Sequence, residues 1–167
     1  ESLMPWATAL ENVAIGLRYR GVAKDEANER AMAWLARVGL EKFPDRYPHE
    51  LSGGMRKRVA MAQTLVTDPD IILMDESFSA LDVQTRELME DELLAIWQAS
   101  KKAVLFITHD LDEAVSMSDR VVVMSAGPAS RPIGDFGIGL PRPRNVAEIR
   151  MDQSFLERRA AIWSVLR

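Results

Sequence analysis

The sequence predicts an α/β fold whose core contains a parallel β-sheet. Three short runs are apolar almost throughout, and they alternate with stretches that have the hydrophobic spacing of helices. The runs cover 71–74, 103–108 and 120–124. Continuous apolar runs are typical of parallel strands that are covered on both faces, whereas half-exposed strands alternate. We therefore expect a parallel sheet covered by helices, preceded by a helical segment.

The first 50 residues are expected to be helical. Four apolar residues recur there at helical spacing: Leu10, Val13, Ala14 and Leu17. A second helix is predicted over about 24–38, with Gly39 as a left-handed residue at its C-terminal end. Pro44 and Pro48 indicate a loop over 41–50.

The rest of the chain alternates helices with the apolar runs. Further helices are predicted over 55–66, 87–99, 112–116 and 152–166. Ser52 is placed to cap the first of these. The helix over 87–99 is expected to bury Leu88, Leu93, Leu94 and Trp97. A segment rich in Gly, Pro and Arg, 127–143, is expected to hold a short strand and turns.

Composition excludes several classes of protein. Hydrophobic residues make up 47% and charged residues 28%, which is the balance of a soluble globular domain. The net charge of -4 argues against nucleic acid as the main partner. The chain has no cysteine, so it can form neither a disulfide framework nor a thiolate metal site.

Polar residues follow the first two apolar runs where a ligand site is expected. Asp75 and Glu76 end the first run, and His109 ends the second. Ligands of open α/β sheets bind at the carboxyl ends of the strands. Taken alone, however, the acidic pair is more typical of a solvated turn, and a single histidine is more typical of a structural hydrogen bond. Likewise, Ser52, Gly53 and Gly54 can be a plain helix cap or an anion site at a helix N-terminus.

The order of four motifs decides between these interpretations. They are LSGGM at 51–55, DE at 75–76, SALD at 79–82 and THD at 108–110. Together they resemble the second half of an ABC-type ATPase, and the resemblance covers nearly the whole chain. It implies a P-loop NTPase-like (ABC ATPase) partial core with a helical subdomain. The expected segments are 1–58 (helical subdomain with the signature), 59–126 (C-terminal part of the catalytic core) and 127–167 (tail with a closing helix).

The resemblance also implies roles for residues at the strand ends. Asp75 would hold Mg²⁺ through water, because this ion keeps much of its hydration shell. Glu76 would lie near the γ-phosphate of ATP and polarise the attacking water. His109 would contact the γ-phosphate and position that water, since a neutral imidazole both donates and accepts. His49, in the loop, is expected to have no such role.

Two further motifs imply a dimer. Ser52, Gly53 and Gly54 would bind the γ-phosphate of an ATP held by the opposite subunit. Met55 stands where Gln is more usual, and this exchange is not expected to inactivate the site. Asp82 resembles the residue that crosses the dimer interface and couples the two sites, and it is also placed to cap the next helix.

These 167 residues contain no G-x-x-x-x-G-K-[ST] sequence. Gly16 and Gly21 have the glycine spacing, but no Lys follows them. The segments LMPW (3–6) and LENV (10–13) look like the part of the family that comes directly after its Gln-containing loop. We therefore expect an N-terminally truncated chain that lacks the Walker A motif and the Q-loop, is inactive alone, and exposes apolar sheet surface.

Softer features are similar to the importers of nitrate, sulfonate and taurine in bacteria. They are LMPW, Met55, LPRPR (140–144) and IW (162–163). This resemblance implies a peripheral subunit, on the cytoplasmic face of the inner membrane, that uses ATP and Mg²⁺. Its implied partners are a second ATPase subunit, integral membrane permease subunits and, indirectly, a periplasmic solute-binding protein. No nucleic acid is expected.

Two alternatives remain open at this point. The chain can be a truncated, non-catalytic module that donates its signature face to a complete partner ATPase. It can also be a non-transport ABC ATPase of DNA repair or translation. The DNA-repair members carry long coiled-coil insertions before the signature, and the short segment 1–50 has none.

Overall fold

The computed structural model describes residues 3–78 and 81–167. The helices are α1 (Ala9–Tyr19), α2 (Lys24–Arg37), α3 (Gly53–Leu65), α4 (Val83–Ser100), α5 (Leu111–Met117), α6 (Val146–Ile149) and α7 (Gln153–Leu166). The strands are β1 (Ile71–Asp75), β2 (Ala103–Ile107), β3 (Arg120–Met124) and β4 (Pro132–Gly137). A single 3-10 turn, Pro48–Glu50, precedes the signature. The predicted helices and strands are present, and α4 begins four residues before its predicted start.

Capping fixes the N-terminal helices. Thr8 and Glu11 form a capping box at the start of α1, in which each side chain bonds the backbone of the other residue. Asn12 is fully buried, and its amide group donates to the carbonyls of Met4, Ala7 and Thr8. The segment before α1 is therefore held against the helix by one side chain. After α2, Gly39 has a φ of 68°, as predicted for a left-handed helix end.

The strands form two separate pairs in the described residues. Strands β1 and β2 are parallel, with Ile71 opposite Ala103 and Asp75 opposite Ile107. Strand β3 was expected to join this parallel sheet, and that prediction is wrong, because β3 pairs antiparallel with β4. The tail returns alongside β3 to form this pair. Arg120, the first residue of β3, forms an ion pair with Asp135 of β4.

Two apolar clusters hold the elements together. The larger one joins α1, α2, α3, β1 and α4. The smaller one joins α5, β3 and the tail, and its members are Val115, Val123, Ile138, Leu140, Phe155 and Ile162. Helix α3 runs without interruption through the predicted boundary at 58/59. The division into three segments stays a prediction.

One face of the parallel pair is exposed. Ile72 and Met74 are buried, but the alternate residues are 54–72% exposed: Ile71, Leu73, Leu105 and Ile107. The expectation that both faces are covered is therefore wrong for this pair, whereas the expected exposure of apolar sheet surface is observed. Leu88 is also exposed, and Met89 is buried in its place. Within the described ranges, we find no helix with the length and apolarity that a membrane span requires.

Candidate active site

The ends of β1 and β2 bring two predicted site residues into contact. The backbone N–H of Glu76 donates to the carbonyl of Ile107 at 2.9 Å, which continues the strand pairing by one step. Glu76 has a φ of 44°, a left-handed conformation that residues other than glycine adopt rarely. In this conformation, Oε1 of Glu76 lies 2.9 Å from Nδ1 of His109. Two residues 33 positions apart therefore form one polar pair.

The pair is exposed and electrostatically coupled. A carboxylate only accepts hydrogen bonds, so Nδ1 of His109 carries the proton and donates to Glu76. This hydrogen bond, together with the negative charge of Glu76, raises the pKa of the His109 ring. Because Nδ1 is engaged, Nε2 is the ring nitrogen through which His109 can meet a substrate. The carboxylate thus shifts the ring towards its charged, donating form, away from the neutral form that the sequence favoured.

Short hydrogen bonds hold the backbone on either side of His109. The hydroxyl of Thr108 donates to Oε2 of Glu113 at 2.5 Å and accepts from the N–H of Asp110 at 3.0 Å. Asp110 caps α5 by accepting from the N–H groups of Asp112 and Glu113. The roles of Thr108 and Glu113 were not predicted, although the spacing of Asp110 and Glu113 at the start of a helix is a recognisable capping signal.

Asp75 is the last residue of β1, and its side chain is exposed. Mg²⁺ usually keeps several of its waters and takes only one or two carboxylates from a protein. An exposed single carboxylate fits that ion. No cluster of three or more metal-ligating side chains occurs in the part of the chain that the structure describes. Asp75 is therefore the candidate that fits a largely hydrated Mg²⁺.

The signature turn opens α3. The hydroxyl of Ser52 accepts from the N–H of Met55, as predicted for a cap. Gly53 and Gly54 form the first turn, where backbone N–H groups have no helical partner. A Cβ on Gly54 would lie 3.6 Å from Cδ2 of Leu81. The turn therefore lies close to the start of α4.

The structure shows why Met is accommodated at position 55. Its side chain is half-buried and packs against the larger apolar cluster. An apolar side chain is therefore compatible with the surroundings of this position. The N–H of Met55 still bonds to Ser52, so the exchange leaves the cap intact.

Asp82 caps α4. Its Oδ1 accepts from the N–H of Thr85 at 3.0 Å, and its hydrogen bonds with Thr85 lower the pKa of the Asp82 carboxyl. Asp82 is therefore negatively charged at neutral pH. The capping role predicted from the sequence is observed. The first half of the motif, Ser79 and Ala80, lies outside the described residues.

A cavity of about 260 Å³ lies between α3 and β1. Glu76, Asp75 and Lys57 line its polar side, and Phe78 and Met61 line its apolar side. Nζ of Lys57 donates to the carbonyl of Ser77 at 3.4 Å. Lys57 therefore connects the signature helix to the loop that follows Glu76, a contact that no motif in the sequence indicated.

A family model described as "ABC transporter" matches residues 1–79. The chain is 51% identical, over 99% of its length, to an uncharacterized ABC transporter ATP-binding protein of Methanocaldococcus jannaschii. It is 42% identical, also over 99% of its length, to the taurine import ATP-binding protein TauB of Rhizobium johnstonii and to the nitrate import ATP-binding protein NrtD of a Synechocystis strain. The chain is thus similar over nearly its whole length to ATP-binding proteins of ABC transporters.

The fold agrees with this similarity. A dimeric ABC cassette, solved in a post-hydrolysis state with ADP and Pi, matches with a TM-score of 0.67 at 35% identity. The match covers 72% of this chain and 53% of the solved one. The predicted fold class is thereby confirmed. The chain spans 60–64% of the length of the three curated relatives named above.

Proposed function

We propose that this chain carries the water-activating half of an ATP-hydrolysing site, in a subunit that powers a bacterial ABC importer. The contact between Glu76 and His109 is the observation that carries the proposal. It places a carboxylate and a hydrogen-bond donor side by side at the carboxyl ends of two parallel strands, where α/β proteins bind their ligands. Similarity to ABC transporter ATP-binding proteins supports ATP as that ligand.

Each residue of the pair has a task that suits its chemistry. Glu76 orients the attacking water and accepts hydrogen bonds from it. His109 donates from Nε2 to the γ-phosphate, and the neighbouring carboxylate favours this charged form. The left-handed backbone of Glu76 supports the proposal as well, because strained residues cluster at functional sites.

Asp75 is the residue proposed to hold Mg²⁺ through water. When bound, the ion supplies positive charge that offsets the charge of the phosphates. Asp75 is the last residue of β1, whereas Glu76 follows the strand in a left-handed backbone conformation. We propose separate tasks for the two acids.

The signature turn and Asp82 are proposed to serve a dimer. The N-terminus of α3 presents free N–H groups and the positive end of the helix dipole, which together favour a phosphate. Ser52, Gly53 and Gly54 would bind the γ-phosphate of ATP held by a second ATPase subunit, with Met55 next to them. Asp82 would contact that subunit. Two ATP molecules would thus be enclosed at one interface.

The proposed partners are integral membrane permease subunits at the cytoplasmic face of the inner membrane, with a periplasmic solute-binding protein acting indirectly. We propose a small anion such as nitrate, sulfonate or taurine as the solute. The relatives named for taurine and nitrate import align over 99% of the chain. Relatives named for glycine betaine align over 75% of it.

A transport assay tests this proposal. The gene is deleted in its host, and uptake of radiolabelled taurine, nitrate and an alkanesulfonate is measured. We expect the deletion to abolish uptake of one of these solutes, and the wild-type gene to restore it. Glu76→Gln is expected not to restore uptake, whereas Glu148→Gln, which changes an exposed carboxylate on α6, is expected to restore it. Unchanged uptake of all three solutes in the deletion strain would contradict the assignment of the solute.

A further inference from the structure

Arg86 lies on α4 and contacts three acceptors from two different segments. Its Nη2 donates to the carbonyl of Leu81 at 3.2 Å. Its Nη1 lies 3.5 Å from Oδ2 of Asp110, and its Nε lies 3.9 Å from Oε1 of Glu113. The guanidinium is three-quarters buried. One side chain therefore joins the start of α4 to the start of α5.

Both segments carry residues of the proposed site. Leu81 immediately precedes Asp82, the residue proposed to contact the second subunit. Asp110 immediately follows His109. The carboxylate of Glu113 accepts a hydrogen bond from the hydroxyl of Thr108, the residue before His109. Arg86 thus contacts the backbone just before Asp82. It also contacts the carboxylates of Asp110 and Glu113, which take part in the hydrogen bonds on either side of His109.

Charge and burial make this contact difficult to replace. The Glu113 side chain is only 3% exposed, and a buried carboxylate is costly unless a positive charge or several hydrogen bonds compensate it. Arg86 supplies positive charge to both Glu113 and Asp110. The planar guanidinium presents donors in fixed directions, so it can bond Leu81 and Asp110 at once while its charge faces Glu113, which an ammonium group does less well.

We propose that Arg86 is a positioning residue that couples Asp82 to His109. In this role it does not touch the substrate. It fixes the backbone around His109 relative to the start of α4, so that a contact of Asp82 with the second subunit is transmitted to the position of the His109 ring. The proposal rests on the proposed function, because it needs ATP hydrolysis at the Glu76–His109 pair.

Steady-state ATP hydrolysis by the whole protein, as its gene encodes it, tests the proposal. Displacement of a catalytic group by a fraction of an ångström lowers kcat strongly, so we expect Arg86→Gln to reduce kcat on the order of 10- to 100-fold, with the KM for ATP within about twofold. The kcat of Arg86→Lys is expected to lie between those of Arg86→Gln and the wild type. Glu113→Gln is expected to show the same split between kcat and KM.

Arg159→Gln is the matched control. Arg159 also binds a carboxylate of α5, with 2.5 Å between its Nε and Oδ1 of Asp112. This carboxylate differs from those of Asp110 and Glu113, which Arg86 contacts. Its kcat is expected to stay within about twofold of the wild-type value, since exposed ion pairs contribute little. Thermal unfolding of each variant separates loss of activity from loss of folding. If Arg86→Gln does not fold, Glu113→Gln carries the test alone.

A double-mutant comparison distinguishes positioning from a general structural role. If Arg86 acts through His109, Arg86→Gln will not reduce the residual kcat of a His109→Ala protein any further. Equal reductions in both backgrounds would overturn the coupling. A normal kcat in Arg86→Gln, with Glu76→Gln inactive, would overturn the role of Arg86 and leave the proposed function intact. A wild-type protein that hydrolyses no ATP would overturn both.

Discussion

At the scale of single residues, the sequence predicted where the candidate site residues lie, but it did not predict all the contacts between them and their neighbours. Glu76 and His109 could be predicted because each follows an apolar run, and the ends of parallel strands meet at one edge. The left-handed backbone of Glu76 that accompanies their hydrogen bond could not be predicted, because no apolar pattern indicates it. The roles of Arg86 and Lys57 were missed because the contacts with Asp110 and Ser77 join residues 20 or more positions apart in the chain.

Arg144 shows how a residue in the tail can be structural. The sequence offered LPRPR only as a family feature. In the structure, the guanidinium of Arg144 is buried and donates to four carbonyls: those of Ser116, Ser118, Leu140 and Pro141. It therefore ties the tail to the C-terminal end of α5, where the helical carbonyls have no intrahelical partner.

We predict that Arg144→Met strongly destabilises the protein. The variant removes the donor of two buried and two partly buried hydrogen bonds. Each buried unsatisfied group costs about 1–3 kcal/mol, so we expect a loss of roughly 3 kcal/mol in the free energy of unfolding. Urea denaturation measures this loss. Arg120→Met is the control, because it removes an exposed ion pair with Asp135, and its effect should be much smaller. Equal effects of the two substitutions would contradict the role of Arg144.

At the scale of elements, apolar periodicity located the helices and strands but not all their partners. The phase of α4 was misread by one residue: Leu88 and Met89 are both apolar, and packing against the larger cluster selects Met89. The pairing of β3 was also misread. An apolar run specifies a buried strand, but its neighbour depends on where the tail returns, and the glycine-containing segment 132–137 gave only a weak strand signal.

Gly16 illustrates how helix α1 meets the turn after α3. A Cβ at Gly16 would lie 2.7 Å from Cγ2 of Thr67, which is too close. The Thr67 side chain has little freedom to move away, because its hydroxyl donates to the carbonyl of Thr64 at 2.8 Å. The glycine spacing of 16 and 21 thus has a packing explanation at position 16.

We predict that the effect of Gly16→Ala depends on Thr67. Alanine in a helix interior is favoured over glycine by about 1 kcal/mol, but the steric clash costs ~1–3 kcal/mol. We therefore expect Gly16→Ala to destabilise the wild type, and to stabilise a Thr67→Ser protein, which lacks the methyl group and keeps the hydroxyl. Chemical denaturation of the four proteins gives the comparison. The same effect of Gly16→Ala in both backgrounds would contradict the packing argument.

Helices α4 and α6 meet at a buried carboxyl group. Glu90 is fully buried, and Nη2 of Arg150, just beyond α6, lies 3.0 Å from its Oε2. Burial raises the pKa of Glu90 to about 7, against the attraction of Arg150. The other charged groups that act on it are Glu113, Arg86 and Asp110. In the folded protein, Glu90 therefore binds a proton more tightly than in the unfolded chain.

This shift predicts how stability depends on pH. A carboxyl whose pKa is raised on folding contributes stability that is complete below its unfolded pKa near 4.5 and is lost as the pH rises through about 7. Relative to Glu90→Gln, the wild type should lose on the order of 3 kcal/mol between these pH values. Urea denaturation at several pH values measures the difference. Glu87→Gln, which changes a half-buried partner of Arg150, should follow the wild type. A wild-type profile parallel to that of Glu90→Gln would contradict the shift.

At the scale of the whole molecule, the fold class and the order of the motifs were predictable, whereas the extent of exposed surface was predictable only through the family resemblance. The alternation of β-structure then determines which residues are exposed: Ile71, Leu73, Leu105 and Ile107 share one face of the parallel pair. Contiguous apolar surface of this kind is costly in water.

We predict that the 167-residue chain, studied by itself, associates through this face. Leu73→Lys, which places a charge in its centre, should reduce the average mass measured by sedimentation velocity. Leu88→Lys is the matched control, because Leu88 is equally exposed but lies on α4. A monomeric wild-type chain with one cooperative unfolding transition would contradict this prediction.

In the proposed function, Glu76, held beside His109, activates the water that attacks ATP. The most direct measurement is ATP hydrolysis, together with ATP binding, by the whole protein and its Glu76→Gln variant. Removing a group that orients or deprotonates the nucleophile typically lowers the rate on the order of 10²- to 10⁴-fold, and we expect a loss of this size with ATP binding retained. A Glu76→Gln protein that hydrolyses ATP at the wild-type rate would contradict the account.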